Sequence, residues 1–182
     1  MANFEAVLDS LITSKTRIRM LLKFFTNSSS TAYLRGLAEE FGESTNSIRH
    51  ELNNLSKAGY LISSEEGRTI QYRVNTQHPL YHEVKSLVHK YLGIDKIVDN
   101  IISKLGDLRA AYIIGDYAQG KDSGTIELLL VGKIDKEFLK RLVVKAQGLI
   151  KRDIEIVQFE ESEFEKARAK YQNALLVWGD FD

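Results

Sequence analysis

The chain has 182 residues, 43% hydrophobic and 27% charged, with 25 basic side chains balancing 25 acidic ones; this is the composition of a soluble globular protein, long enough for one large domain or two small ones. No apolar run approaches membrane-spanning length, and the N-terminal MANFEAVLDS lacks the basic-then-apolar pattern of a signal peptide, so a cytoplasmic protein without a membrane partner is expected. The absence of cysteine excludes disulfides, thiolate metal sites and thiol redox control, and zero net charge excludes a globally basic nucleic-acid coat.

Phe4, Val7, Leu8, Leu11 and Ile12 predict a first short amphipathic helix. Thr13 or Ser14 then offers a cap for a second, with Ile18, Leu21, Leu22 and Phe25 as its apolar stripe. The polar run Thr26 to Ser30 breaks it. Leu34, Leu37, Ala38 and Phe41 fall at i, i+3, i+4 and i+7, the spacing of a third helix stopped by Gly42. Ser44 can cap the next, which buries Ile48, Leu52 and Leu55 and ends at Gly59. At about 100° per residue, Asn46, Arg49, His50, Asn53 and Lys57 then point outward. Tyr60–Ile62 and Ile70–Val74 read as two strands around a tip, Ser63 to Arg68, in which Gly67 supplies the turn.

Two short helices, a tight turn and a hairpin in this order predict a winged helix-turn-helix. Asn pairs with adenine and Arg with guanine or phosphate when a helix enters a major groove. The expected contacts with double-stranded DNA are Ser44, Thr45, Asn46, Ser47, Arg49, His50, Asn53 and Lys57, with Arg68 at the wing tip and Arg73 behind it. From Ile18 to Leu92 the chain also resembles winged-helix repressors of the ArsR and MarR type, including the run RTIQYRVNTQHPLY after the wing. The resemblance implies a homodimer on a two-fold operator.

Pro79 can open a helix carrying Leu80, Val84, Leu87, Val88, Tyr91 and Leu92. Gly93 interrupts it before a further helical pattern from Ile94 to Leu105. These wide stripes fit either a seam between domains or a subunit interface. In some ArsR-type repressors histidines on this helix bind metal. Here His82 and His89 are seven apart, no second acidic ligand joins Glu83, and His78 precedes a proline, so no metal site is expected.

Beyond Asp107 the period changes. Ala110–Ile114, Ile126–Val131 and Ile154–Val157 are buried-strand runs, with helices after the second and third, which predicts a small α/β unit. Between the first two strands lies IIGDYAQGKDSGTIELLLVG, residues 113–132. It is similar to the signature of minimal DNA polymerase β-like nucleotidyltransferases, in which a Gly-Ser turn holds nucleotide phosphates and an Asp-x-Asp pair on the next strand binds magnesium. Gly115 and Gly120 match the two glycines, Asp116 stands where serine is expected, and the paired aspartates map to Thr125 and Glu127. Asp153 or Glu155 could supply a third carboxylate. An acid in a phosphate turn repels a triphosphate, and one Glu beside a Thr is a poor two-metal site.

The expected fold class is therefore α+β: a winged helix-turn-helix over residues 1–92, followed over 93–182 by a small α/β nucleotidyltransferase-like domain with a mixed sheet. The expected function is sequence-specific transcriptional regulation by a homodimer that is not an enzyme. The second domain would serve assembly or sensing of a nucleotide or other small-molecule effector, and no cofactor or metal is called for. The alternatives are a nucleotidyltransferase targeted by its winged helix, and a winged helix that contacts protein or RNA.

Overall fold

The computed structural model describes residue 10, residues 12–150 and residues 152–180. The helix expected around Phe4 lies almost wholly outside them. The chain divides into two compact units, Met1–Tyr91 and Leu92–Asp182. The fold is α+β, as expected.

In the first unit, α1 (Lys15–Phe25) is capped by Ser14, whose hydroxyl accepts the Arg17 N–H at 3.1 Å. It buries Ile18, Met20, Leu22, Phe24 and Phe25, a wider surface than the expected stripe, while Leu21 is only half-buried. A helix packed by α3 on one side and the sheet on another needs apolar residues around most of its girth. The residues before Leu34 form a strand absent from the sequence reading, β1 (Thr31–Tyr33), too short to show a period. Next come α2 (Leu34–Phe41) and α3 (Thr45–Lys57). The turn between them begins at Gly42, whose φ of +65° is the left-handed cap that glycine adopts without strain. Ser44 then accepts the Ser47 N–H at 3.2 Å and starts α3.

The hairpin is longer than expected. Strands β2 (Leu61–Glu66) and β3 (Thr69–Val74) pair up to Glu66↔Thr69, leaving only Gly67 and Arg68 in the turn. Its outer half is exposed on both faces, so no alternation of apolar and polar residues marked it. With β1 it forms an antiparallel sheet of order β1-β3-β2. Helix α4 (Tyr81–Leu92) begins two residues after Pro79. His78 secures that approach: the Leu80 N–H donates to its Nδ1 at 3.1 Å, its Nε2 donates to the Ala58 carbonyl at 3.2 Å, and its ring lies 4.1 Å from that of Tyr60.

Polar contacts join the buried Ile48, Leu52 and Leu55 in fixing α3. Glu51, on its buried face and 6% exposed, accepts Ser14 Oγ at 2.8 Å and Arg17 Nε at 2.9 Å. Glu43 in the turn accepts Thr16 Oγ1 at 2.6 Å and Ser47 Oγ at 2.8 Å, with Arg19 at 3.5 Å. Arg19 also donates to the Phe41 carbonyl at 2.6 Å and lies 4.4 Å from the centre of the Phe41 ring.

The second unit holds α5 (Ile94–Asn100), a 3-10 turn (Ile102–Lys104) and a mixed sheet of order β6-β5-β4-β7. Its strands are β4 (Leu108–Ile114), β5 (Thr125–Gly132), β6 (Asp153–Phe159) and β7 (Leu175–Gly179). Strand β5 pairs antiparallel with β4 and parallel with β6. A short helix α6 (Gly115–Ala118) follows β4, and α7 (Lys136–Ile150) links β5 to β6. Helix α8 (Glu161–Ala167) and a 3-10 turn (Arg168–Tyr171) lead into β7, which the sequence reading did not include. One sheet face packs Tyr112, Leu129 and Val131 against Phe164, Phe159 and Tyr171. The near-continuous apolar runs of β4 and β5 follow from burial of both faces.

Leu52 is 1% exposed, so Leu52→Ala should lower the unfolding free energy by about 2–5 kcal/mol. Glu51→Ala should lower it by about 1–3 kcal/mol through loss of charge-assisted bonds. Urea denaturation of the full chain reads both.

Candidate nucleic-acid interface

Helix α3 presents Thr45, Asn46, Arg49, His50, Asn53 and Lys57 to solvent. The first five lie on its N-terminal two and a half turns, and Lys57 closes the far end. The Arg49 guanidinium donates to Asn46 Oδ1 at 3.0 Å, which aligns an amide and a guanidinium along one edge. Ser44 caps the helix as its position predicts, and Ser47 is half-buried beside it. Both hydroxyls are engaged locally, Ser44 in the cap and Ser47 on Glu43, so their first role is to hold the helix start.

Between α3 and the wing lies a concavity of about 730 Å³ lined by Tyr33, Leu34, Arg35, Arg49, Asn53, Arg68, Thr69, Ile70 and Tyr72. Three guanidiniums and no carboxylate line it. Among the described residues, neither Arg35 nor Arg68 has an ion-pair or hydrogen-bond partner. Arg35, Tyr33 and Tyr72 were missing from the sequence reading. They reach this place only because β1 returns the chain to the sheet just before α2, and no local pattern announces that return. Arg73 alternates with Tyr72 along β3 and so faces away from the concavity. At the rim, the Tyr33 hydroxyl donates to Glu66 and accepts Gln71 Nε2 at 2.9 Å. The Glu66 hydrogen bond raises the Tyr33 pKa.

In the second unit, β4 runs through Gly115 directly into the short helix α6. Gly115 has φ of +64°, and a Cβ there would stand 1.8 Å from Glu127 Oε1, so the carboxylate lies directly against the turn. The β5–β6 register sets Thr125 beside Asp153 and Glu127 beside Glu155, which resolves the position of the later carboxylates. Asp116 is exposed on α6. Asp122 is bound elsewhere: it accepts Arg152 Nη2 at 2.7 Å, Arg152 Nε at 3.3 Å, the Gly124 N–H at 3.3 Å and the buried Tyr117 hydroxyl. No group of three or more His, Asp or Glu side chains is placed to share a metal among the described residues.

Burial disfavours the Asp122 charge, but Arg152, Tyr117 and Gly124 outweigh it and the net pKa is lowered. Burial first, then the Asp122 hydrogen bond, drives the Tyr117 pKa well up.

No family model matches the chain, and no curated protein matches it. Partial likenesses occur among solved structures. Reduced HlyU from Vibrio cholerae N16961 is 19% identical, covering 47% of this chain and 86% of that one at a TM-score of 0.35. The transcriptional regulator BldR from Sulfolobus solfataricus is 14% identical, covering 54% and 70% at 0.38. A proposed nucleotidyltransferase from Sulfolobus solfataricus is 24% identical, covering 50% and 81% at 0.32. The functional reading therefore rests on the chain's own geometry.

A carboxylate with a depressed folded pKa contributes stability that is present above its unfolded pKa and lost as pH falls through the folded value. The stability gap between the natural chain and Asp122→Asn should thus be widest above the ordinary value of 3.8 and shrink below it. Urea titrations across that range measure the gap.

Proposed function

We propose that the chain is a sequence-specific, DNA-binding transcriptional regulator that acts as a homodimer. The observation that carries this reading is the exposed edge of α3, with Asn46, Arg49, His50 and Asn53 beside a wing whose tip is Arg68. A helix start with exposed amide and guanidinium groups suits a major groove, and one such helix reads too few base pairs to define an operator alone. Pairing is supported by Leu80, just before α4, and Leu87 on it, which stand 48% and 41% exposed in a 4-3-4 series with Val84 and Tyr91.

Selection of random duplexes by the full-length protein should enrich one two-fold sequence. Asn46→Ala and Arg49→Ala should then each cost about 1–3 kcal/mol and relax the preference at one position. Weak binding to all duplexes alike at physiological salt would overturn the proposal. Leu80→Glu with Leu87→Glu should yield monomers by light scattering and lose operator affinity.

In this reading the second unit serves assembly or senses a nucleotide or other small molecule, and repeating the selection with nucleotides present tests the sensing role. A second reading, nucleotidyl transfer, draws on Glu127 and Glu155 standing side by side near the Gly115 turn. Against it, Thr125 and Asp116 occupy the places where a metal ligand and a phosphate-binding serine belong. Labelled nucleotide with magnesium or manganese should give no transfer; transfer abolished by Glu127→Ala would reverse that choice.

A further inference from the structure

We infer that the aromatic cavity on the α8 face of the second unit binds a small planar arene carrying one anionic group, with Phe164 and Tyr171 against its ring and Arg168 and the Tyr112 hydroxyl on its charge. This names the class of small molecule for the sensing role proposed for the second unit and rests on that reading for its consequence at DNA.

Three observations carry the assignment. First, an enclosed polar atom waits there for a partner. Along β4, Ala110, Tyr112 and Ile114 belong to the same core as Phe164, and of these three only Tyr112 bears a hydroxyl. Tyr112 is 9% exposed, and its hydroxyl, not sealed from solvent, has no hydrogen-bond partner among the described residues. A phenol held in so apolar a place gains from any acceptor brought to it. Second, a cavity of about 520 Å³ opens at that residue, within the size range of small-molecule sites. Phe164 of α8 and Tyr171 of the 3-10 turn line it with Tyr112, the ring centroids lying 5.4 Å apart for Tyr112 and Phe164 and 6.4 Å apart for Phe164 and Tyr171. Tyr171 is only half-buried, which leaves part of its ring to pack on a flat ligand.

Third, the charge in the lining has one sign. Arg168 is its charged residue and no carboxylate lines it; Glu161, Glu163 and Glu165 of α8 are exposed and stand outside the lining. Burial raises the Tyr112 pKa and the Arg168 charge partly offsets that, so guanidinium and phenol converge on one place. Arg168 also has an interaction within the protein, but a guanidinium carries five N–H donors and can hold an anionic group beside an internal partner. One guanidinium and one hydroxyl match a single anionic group, not the several charges of a nucleoside triphosphate.

Calorimetric titration of the full chain with naphthoate should give saturable binding with a Kd of about 1 mM or tighter. Naphthylmethanol, which keeps the ring without the charge, and cyclohexanecarboxylate, which keeps the charge without an aromatic ring, should each bind roughly tenfold more weakly. Arg168→Gln should weaken naphthoate roughly tenfold and leave naphthylmethanol unchanged. Tyr112→Phe keeps the packed ring and should weaken naphthoate by a smaller factor. Arg168 is exposed and Tyr112→Phe removes a single oxygen, so both variants keep the fold, which unchanged urea denaturation verifies. No saturable naphthoate binding, or binding that both variants leave intact, would overturn the site while leaving operator selection untouched. Equal affinity for naphthoate and cyclohexanecarboxylate would overturn the arene assignment, and tighter binding of AMP, lost in Arg168→Gln, would make the cavity a nucleotide site and equally overturn it. Naphthoate that binds as expected yet leaves operator affinity unchanged would overturn the sensing reading alone, because coupling between two ligands is reciprocal. Failure of the natural protein to select any duplex would overturn the DNA-binding reading and leave the site standing, since the calorimetry uses no DNA.

Discussion

The anchoring of α3 through two inward-turned carboxylates is the constraint on which the rest of the first unit depends. An amphipathic helix of 13 residues buries too few apolar groups to fix its rotation by packing alone, since Ile48, Leu52 and Leu55 form a narrow stripe. Glu51 and Glu43 supply the missing directionality. Each accepts hydrogen bonds from α1, and Arg17 and Arg19 compensate their charges. A rotation that exposed Glu51 would break those bonds and present a carboxylate to any anion facing the helix. The same contacts thus position Asn46 and Arg49 and clear negative charge from their side of the unit.

Local charge matters here because the chain as a whole has none to spare. With 25 basic and 25 acidic residues, long-range attraction to a polyanion is absent, and approach depends on patches within a Debye length of roughly 10 Å. The wing concavity is such a patch, made by withholding acids as much as by supplying arginines. Two acids of the hairpin stand outside the lining: Glu65 opposite Ile70, and Glu66, whose carboxylate accepts the Tyr33 hydroxyl. Tyr33 reaches Glu66 from β1, on the opposite edge of the sheet from the strand that carries the carboxylate.

Much of the fold was legible because its helices carry long periodic stripes. Leu37, Ala38 and Phe41, then Ile48, Leu52 and Leu55, lie buried where their spacing put them, and Gly42 and Ser44 act as the stop and cap. Legibility failed where structure depends on partners distant in sequence. Strand β1 exists because Thr31–Tyr33 meets Gln71–Arg73, and β7 because Leu175–Gly179 meets Ala110–Ile113. Neither is long enough to declare itself. The outward face of α3 could be read from angles alone, but Arg35 could not, since its place follows from β1. Ser47 shows another limit: it is half-buried and its hydroxyl donates to Glu43 four residues back, a contact that helix angles do not announce.

The second unit separates what holds a fold from what would let it act. Its core includes Tyr112, Ile114, Leu129 and Val131 of β4 and β5, packed with Phe164. Thr125 and Glu127 occupy the start of β5, half-buried at the end of the sheet, where a carboxylate or a hydroxyl is equally well solvated. Gly115 is different, because a side chain there would meet both a left-handed backbone and the Glu127 carboxylate. A glycine at 115 is therefore demanded by shape, whereas the places of Thr125 and Glu127 make no comparable backbone demand. The resemblance carried by Gly115 and Gly120 therefore concerns architecture, and the chemistry must be judged at Asp116, Thr125 and Glu127.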